Sequence, residues 1–408
     1  MNMYVKYYLS GFNILLLAVL GSICGYLFQD KVLFLKPFGD VFISLIKMLI
    51  IPIIFFTVLK ATSLLGEHNK AIKLSVFSLL YFLGSSFLAG LLGVALSLYL
   101  QPGLGVGSLP QQFLSMSQDM KVAATTQIVT LWDFIFNMIP LNPVKAMADG
   151  NLLPVLFFSI FVGVALSYVK HKDKDSVIKS IDVYAEVFLW IIAKVMYLAP
   201  IAVFCLMAYL VATIGLNVIY LVGKLFLTVI VGHIIWVYGV LATLAMFSGK
   251  VSYFQFVKTI FPLQLIAFST SSSLVSLPKN METCSKLGAD KKIMSLILPL
   301  GATLNMNGSA LYYVVVTMFF AQMFQVDITF YTYILIALTA AFGSMATPGV
   351  PGLSLTIIMV ILVAHVPLIG LPLIFAVDRI LDMPITSVNV VGDTTATMLA
   401  SRLFGESK

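Results

Sequence analysis

Four polar side chains near the end of the chain fall on one stripe of a single helix: Asp382, Thr386, Asn389 and Asp393. With Asp382 as origin and about 100° per residue, Thr386 lies near 40°, Asn389 near −20° and Asp393 near 20°. Two carboxylates, an amide and a hydroxyl thus line about 16 Å of one face, and the opposite face is mostly apolar. A carboxylate inside a membrane helix costs at least about 2.5 kcal/mol and marks an ion or substrate path by default. Asp378 and Arg379 sit nearer the start of this helix and are taken as structural, paired or facing water. Earlier in the chain, Gly301-Ala302-Thr303-Leu304-Asn305-Met306-Asn307-Gly308-Ser309 carries an Asn-x-Asn-Gly core that is poor helix sequence. Unwinding there turns backbone carbonyls and amide oxygens inward, hard-oxygen ligands suited to Na⁺. A Gly/Ser-lined helix contact is the alternative for that segment taken alone.

The elements that must hold these groups are membrane helices. Of 408 residues, 60% are hydrophobic and 10% charged, with a mean hydropathy of +1.05. A soluble domain is about 45–50% apolar and about 25% charged, so an ordinary soluble enzyme is excluded, and disorder with it. At about 20 apolar residues per crossing, apolar runs lie at 11–28, 38–65, 74–100, 130–169 (broken in the middle), 180–214, 217–247, 255–277, 293–325, 329–346, 353–375 and 380–400. The first of these is expected to be a retained helix, not a signal peptide. The net charge of +7 resides in Lys-containing loops and reflects the positive-inside rule, not nucleic acid. Cys24, Cys205 and Cys284 are scattered and make neither a disulfide framework nor a metal site. Trp132, Trp190 and Trp236 suit interfacial anchoring and packing.

Loop charge sets the topology. Basic loops at Glu67–Lys73, Lys170–Lys174 and Lys250–Lys258 follow the second, fourth and sixth runs, whereas 101–120 and 325–330 carry no Lys or Arg. Lys31 and Lys36 are the exception. With the N-terminus inside, a full crossing at 255–277 would place Lys279, Lys286, Lys291 and Lys292 outside. A re-entrant hairpin with the polar tip Ser269-Thr270-Ser271-Ser272-Ser273 removes the conflict, provided the tip is buried in protein or lines a cavity. Gly343-Ser344-Met345-Ala346-Thr347-Pro348-Gly349-Val350-Pro351-Gly352 interrupts a second apolar stretch, which becomes a hairpin from the other face. Arg402 and Lys408 then lie inside. The expectation is an all-α polytopic protein of eight transmembrane helices and two re-entrant helical hairpins. Two interrupted segments in corresponding places point to an inverted-repeat transporter with a mid-membrane site, and helix N-termini at the hairpin tips offer N–H groups to a carboxylate.

These residues resemble the dicarboxylate/amino acid:cation symporter family, the glutamate-transporter homologues. The resemblance covers nearly the whole chain. It runs through Lys47-Met48-Leu49-Ile50-Ile51-Pro52, then Asn142-Pro143-Val144-Lys145-Ala146-Met147-Ala148-Asp149-Gly150-Asn151, and the Ser-rich tip. It continues through Asn305-Met306-Asn307-Gly308, Gly349-Val350-Pro351-Gly352 and Asn389-Val390-Val391-Gly392-Asp393. The resemblance implies a homotrimer in a bacterial-type inner membrane, with both termini cytoplasmic and an elevator-type transport domain. Residues 1–70 (helices 1–2) and 101–214 (an extracytoplasmic loop and helices 4–5) would be scaffold. The moving part would comprise 71–100 (helix 3), 215–250 (helix 6), 251–288 (hairpin 1), 289–325 (helix 7), 326–371 (hairpin 2) and 372–408 (helix 8 and tail).

Site roles carry over by position. The resemblance implies that Asp382 binds a substrate amino group, and that Thr386, Asn389, Ser272 and Ser273 contact the substrate. Val350 and Gly349 would gate it. Asp393, Asn389, Asn305 and the Gly301 carbonyl would form one Na⁺ site, and Thr303, Met306, Ser344 and Thr347 a second. Two departures matter. Family members that take acidic substrates carry an arginine where this chain has Ile385, which cannot form the bidentate pair a side-chain carboxylate needs. A neutral amino acid is therefore the expected substrate. The alternative is an acidic amino acid or a C4-dicarboxylate, helped by Arg379, which lies roughly 60° from the Asp382 direction. Asn307 stands where a third Na⁺ site usually has Asp, with Tyr81 or Phe82, Ser85 and Ser86 as its partners. Without that charge, two or fewer coupled Na⁺ are expected, and proton coupling through Asp393 or Asp382 stays open. No cofactor is expected, nor any partner beyond the solute, the bilayer and further copies of the chain. An intramembrane enzyme is disfavoured: the histidines at 68, 171, 233 and 365 are dispersed, and the serine triplet has no visible base. A channel is a further alternative.

Overall fold

The computed structural model describes residues 11–63, 69–105, 136, 138–345 (except 151, 216 and 250), 357, 360–361, 364, 366 and 371–405. Among them every regular element is helical. α1 (Gly11–Phe28) passes through a 3-10 turn (Gln29–Leu35) into α2 (Lys36–Ser63), and α3 (Asn69–Leu100) follows. Next come α4 (Pro143–Ala148), α5 (Leu152–Tyr168), α6 (Lys174–Val195) and α7 (Ala199–Ile214). α8 (Asn217–Ile234) continues through a π-helical stretch (Ile235–Leu241) into α9 (Ala242–Met246). α10 (Tyr253–Thr270) and α11 (Ser273–Lys286) form a helix-turn-helix. α12 (Lys291–Leu304), α13 (Asn307–Met323), α14 (Phe330–Met345) and α15 (Leu371–Leu403) complete the chain.

Five runs of described residues are long and apolar enough to cross a membrane: Leu16–Lys60, Val76–Leu100, Lys174–Thr213, Tyr220–Met246 and Lys291–Met323. Leu16, Val19, Leu20, Ile23, Leu27 and Phe28 of α1 are all exposed, a contiguous apolar surface that needs lipid or another protein against it. α13 is buried almost throughout, as a helix apolar all round must be. The run 180–214, expected as one pass, lies within the single candidate span Lys174–Thr213 and carries an internal 3-10 turn. α6 stops at Val195, a 3-10 turn spans Met196–Leu198, and Pro200 enters the first turn of α7, where its missing N–H breaks no helical bond.

Without a hydrophobic force between helices in lipid, close backbone approach decides which helices pair. Gly21 and Gly25, four apart on α1, lie against the main chain of Phe204 and Ala208 on α7, and a Cβ at either would overlap those carbonyls. α2 packs on α5 and α6, and α3 on α13 and α14. α15 is wrapped by α10, α11, α12 and α13, with α7 and α1 on a further side. It is therefore buried all round over its second half, and the apolar face expected opposite the polar stripe meets protein. At the helix ends the charges are exposed or half-exposed. Lys60 pairs with Asp182, worth no more than about 1 kcal/mol at such a site. Lys286 and Lys279 hydrogen-bond Glu282 at 2.7 and 2.9 Å and hold its carboxyl down at about 2.

Candidate functional site

The predicted unwinding is present. α12 ends at Leu304 and α13 begins at Asn307, with Asn305 extended (φ −88°, ψ 97°) and Met306 outside the helical region (φ −124°, ψ 45°). The break aims Asn305 at α15: its Nδ2 donates to Asp393 Oδ1 at 2.8 Å and to the Asn389 carbonyl at 3.2 Å. The Gly308 N–H donates to Asn389 Oδ1 at 2.8 Å, and Asn389 Nδ2 donates to the Met306 sulfur at 3.2 Å. Those two bonds settle which way the Asn389 amide points. Missing side chains allow the approach. A Cβ on Gly301 would overlap the Asp393 carboxylate, one on Gly392 would overlap the amide nitrogens of Asn305 and Asn307, and Gly308 lies against the Ile385 carbonyl.

Several buried polar atoms at the helix break, on α15 and on α3 are incompletely satisfied among the described residues. Asp393 Oδ2, Asn305 Oδ1, both polar atoms of Asn307, Tyr81 OH and Ser86 Oγ are buried without a hydrogen-bond partner among the described residues. Asp393 is 1% exposed, and Asn305 and Asn307 are 0% exposed. Asn305 and Asn307 meet over Gly392. Each buried orphan costs about 1–3 kcal/mol, so several together call for a guest that satisfies them. A carboxylate oxygen and the neighbouring amide oxygens are hard-oxygen donors of the kind a hard cation takes. The buried Ser85 hydroxyl donates to the Phe82 carbonyl at 3.1 Å, which leaves its oxygen lone pairs uncommitted. Thr303 is half-buried and donates to the Leu300 carbonyl at 2.9 Å. Ser344 is buried at the end of α14, donating to the Ala341 carbonyl at 2.9 Å. Thr347, Gly349 and Val350 lie outside the described residues. Among the described residues no three His, Cys, Asp or Glu gather as a multivalent metal site would require.

The hairpin tip is built by its serines. Ser271 ends α10 in the left-handed region (φ 48°), and Ser272 caps α11, its Oγ accepting the Val275 N–H at 3.3 Å. The first-turn N–H groups of α11 have no intrahelical acceptor, the usual grip for an anion. α11 is amphipathic in the inverted sense: Ser273, Ser276, Asn280 and Thr283 are buried, while Leu274 and Val275 are exposed. On α15, Asp382 is half-buried, Ile385 is 3% exposed, and Thr386 Oγ1 donates to the Asp382 carbonyl at 2.8 Å. Pro384 lacks an N–H, so the Ile380 carbonyl one turn back loses its helical donor beside Asp382. Asp378, expected to be structural and either paired or facing water, is buried and paired: Tyr312 of α13 donates its OH to Oδ1 at 3.0 Å.

Sequence reasoning missed three contributors: Tyr312, Asn280 and His233, whose Nε2 lies 3.1 Å from the Gly308 carbonyl. His233 is a buried polar group in an apolar helix, and that signal was available. Its remoteness along the chain from the Asn-x-Asn-Gly segment hid the contact.

A body of apolar, membrane-length helices whose interior holds a carboxylate–amide junction at a broken helix has the build of a membrane transporter. A profile described as the Sodium:dicarboxylate symporter family matches residues 11–403, and the chain belongs to that family. It is 34% identical to the Proton/glutamate-aspartate symporter of Bacillus subtilis (strain 168), over 97% of this chain and 94% of that protein. It is 29% identical to the Proton/sodium-glutamate symport protein of Bacillus caldotenax, over 95% and 93%. To the C4-dicarboxylate transport protein of Rhodospirillum rubrum it is 31% identical, over 97% and 88%. These names concern acidic solutes, and they favour the alternative reading over the neutral amino acid expected from Ile385.

Proposed function

We propose that this protein is a secondary active symporter that moves a small acidic solute, an acidic amino acid or a C4-dicarboxylate, together with Na⁺ or H⁺. The observation that carries this is membership of the symporter family, with relatives of almost the same extent named for glutamate, aspartate and C4-dicarboxylates. In this reading the N-terminus of α11, with Ser272 and Ser273, holds one carboxylate. Asp382 takes an amino group where the solute has one, and Thr386 and Asn389 add polar contacts. Arg379, one turn before Asp382 on α15, supplies the charge for a second carboxylate that Ile385 cannot offer. The coupling cation is cargo at Asp393, Asn305, Asn389 and the Gly301 carbonyl, or at Thr303, Met306, Ser344 and Thr347. The Tyr81, Ser85, Ser86 and Asn307 site lacks a carboxylate of its own and contributes least. Val350 and Gly349 close over the solute.

The same reading makes the chain a multi-pass inner-membrane protein of eight crossings and two hairpins, a homotrimer with cytoplasmic termini. The packing of α1, α2, α5, α6 and α7 with one another, and of α3 with α12–α14, supports a scaffold and a separate moving body. A neutral amino acid is the second reading, favoured by one observation: the residue at 385 is a buried isoleucine. Uptake of labelled aspartate, glutamate, succinate, serine, alanine and leucine into proteoliposomes under imposed Na⁺ or H⁺ gradients separates the two. Gradient-driven accumulation of an acidic solute supports the first. Accumulation of serine, alanine or leucine that excess glutamate does not inhibit moves the assignment to the second, and accumulation of none of them refutes both.

A further inference from the structure

The polar stripe of α11 continues well past the serine tip. Ser273, Ser276, Asn280 and Thr283 recur at i, i+3, i+7 and i+10, one face of a helix, and all are buried. Asn280 is 1% exposed, and both edges of its amide are engaged by α15. Its Nδ2 donates to the Val390 carbonyl at 3.1 Å, and its Oδ1 accepts the Thr394 hydroxyl at 2.8 Å. The Thr394 hydroxyl also lies 3.0 Å from the Val390 carbonyl, and the Cys284 thiol, one turn along α11, reaches Asn280 Oδ1 at 3.5 Å. Val390 follows Asn389 directly and precedes Asp393 by three residues. A closed polar network therefore fastens the arm bearing the serine tip to the segment of α15 that carries both the candidate solute contact and the cation carboxylate. Fully satisfied buried networks of this kind rigidify what they join.

We propose that Asn280 is a positioning residue that makes α11 and the middle of α15 one rigid unit, so that cation occupancy near Asp393 sets the grip of the Ser272–Ser273 tip on the solute. Asn280 touches neither cargo. The proposal rests on the symporter reading above and assigns the link between its two cargoes. Cys284 supplies a native reporter, since it is 0% exposed and held inside the network.

The test uses the full chain in proteoliposomes with Cys24 and Cys205 replaced by serine. In the parent protein, raising Na⁺ or acidity lowers the solute KM by a factor in the ordinary coupling range, about 5–150. Asn280→Ala is expected to shrink that factor toward one and to speed alkylation of Cys284 by a membrane-permeant maleimide about tenfold or more, since reaction tracks local opening. Thr394→Val keeps the Asn280–Val390 bond and gives a smaller effect of the same sign, and the double variant is no worse than Asn280→Ala alone. A merely structural lesion lowers yield and kcat but leaves the cation dependence of KM intact, and that result overturns the proposal, as does an unchanged Cys284 rate. If Asn280→Ala does not fold, Thr394→Val decides by the same two readouts. If the parent transports none of the solutes, the symporter reading fails, and Asn280 is judged on Cys284 alone. Cation protection present in the parent and lost in the variant supports the link, and absence of protection in the parent refutes it.

Discussion

Gly392 sits inside α15, so alanine there gains roughly 1 kcal/mol of helix propensity. Its Cβ, however, would overlap the amide nitrogens of both Asn305 and Asn307. Relief requires the two amides to swing away, and Asn305 then gives up its 2.8 Å bond to the Asp393 carboxylate and its 3.2 Å bond to the Asn389 carbonyl. A hydrogen bond to a charged group contributes about 1.5–3 kcal/mol. At 1.4 kcal/mol per decade, cation affinity should fall by roughly 10- to 150-fold if that bond orients the donor set. The cation-free protein should be destabilised as well, because the lost bond adds to crowding of about 1–3 kcal/mol and propensity offsets only part of the sum. The assay is the thermal-unfolding midpoint of the purified protein titrated with NaCl against choline chloride and, separately, with pH. The Gly392→Ala curve should be displaced to higher cation concentration. Gly84→Ala on α3 is the control, since a Cβ there meets nothing within 4 Å, and its curve should overlay the parent's. A Gly392→Ala protein with the parent's half-saturation would refute the placement of the cation beside these amides.

Further outcomes follow from individual contacts. Ile385→Arg should raise the preference for glutamate over alanine in competition uptake by about 10- to 150-fold, the worth of one charge-assisted contact; an unchanged ratio would mean that position 385 does not face the solute. Gly21→Ala drives a Cβ into the Phe204 carbonyl and should lower the unfolding midpoint by the equivalent of about 1–3 kcal/mol while leaving the cation half-saturation alone. Lys60→Ala, removing a half-exposed ion pair, should cost no more than about 1 kcal/mol in the same assay.

The helix-wheel stripe of Asp382, Thr386, Asn389 and Asp393 was legible because periodicity and the cost of a charge in lipid are both local properties of the sequence. The break at Asn305–Met306 was legible for the same reason: Asn and Gly are poor helix formers wherever they occur. Contacts between distant elements were not. The Tyr312 hydroxyl on Asp378, the His233 imidazole on Gly308 and the Asn280 amide on Val390 join residues 66, 75 and 110 positions apart, and no periodicity within one helix announces them. The 3-10 turn between α6 and α7 leaves no mark on the apolar run that continues across it, and only Pro200 lies at the boundary. Substrate class sits between these cases, since one residue, Ile385, argues for a neutral solute and the full-length relatives argue for acidic ones.

If the buried carboxylate–amide junction couples cation movement to solute movement, Asp393→Asn abolishes that coupling. In proteoliposomes with an inward Na⁺ or H⁺ gradient, the parent protein should concentrate its solute above the external level and lose the excess when an ionophore collapses the gradient. Asp393→Asn should show no such accumulation, even where it still binds solute by thermal shift. Accumulation by Asp393→Asn equal to the parent's, with the same dependence on the gradient, would show that the junction does not couple the two movements.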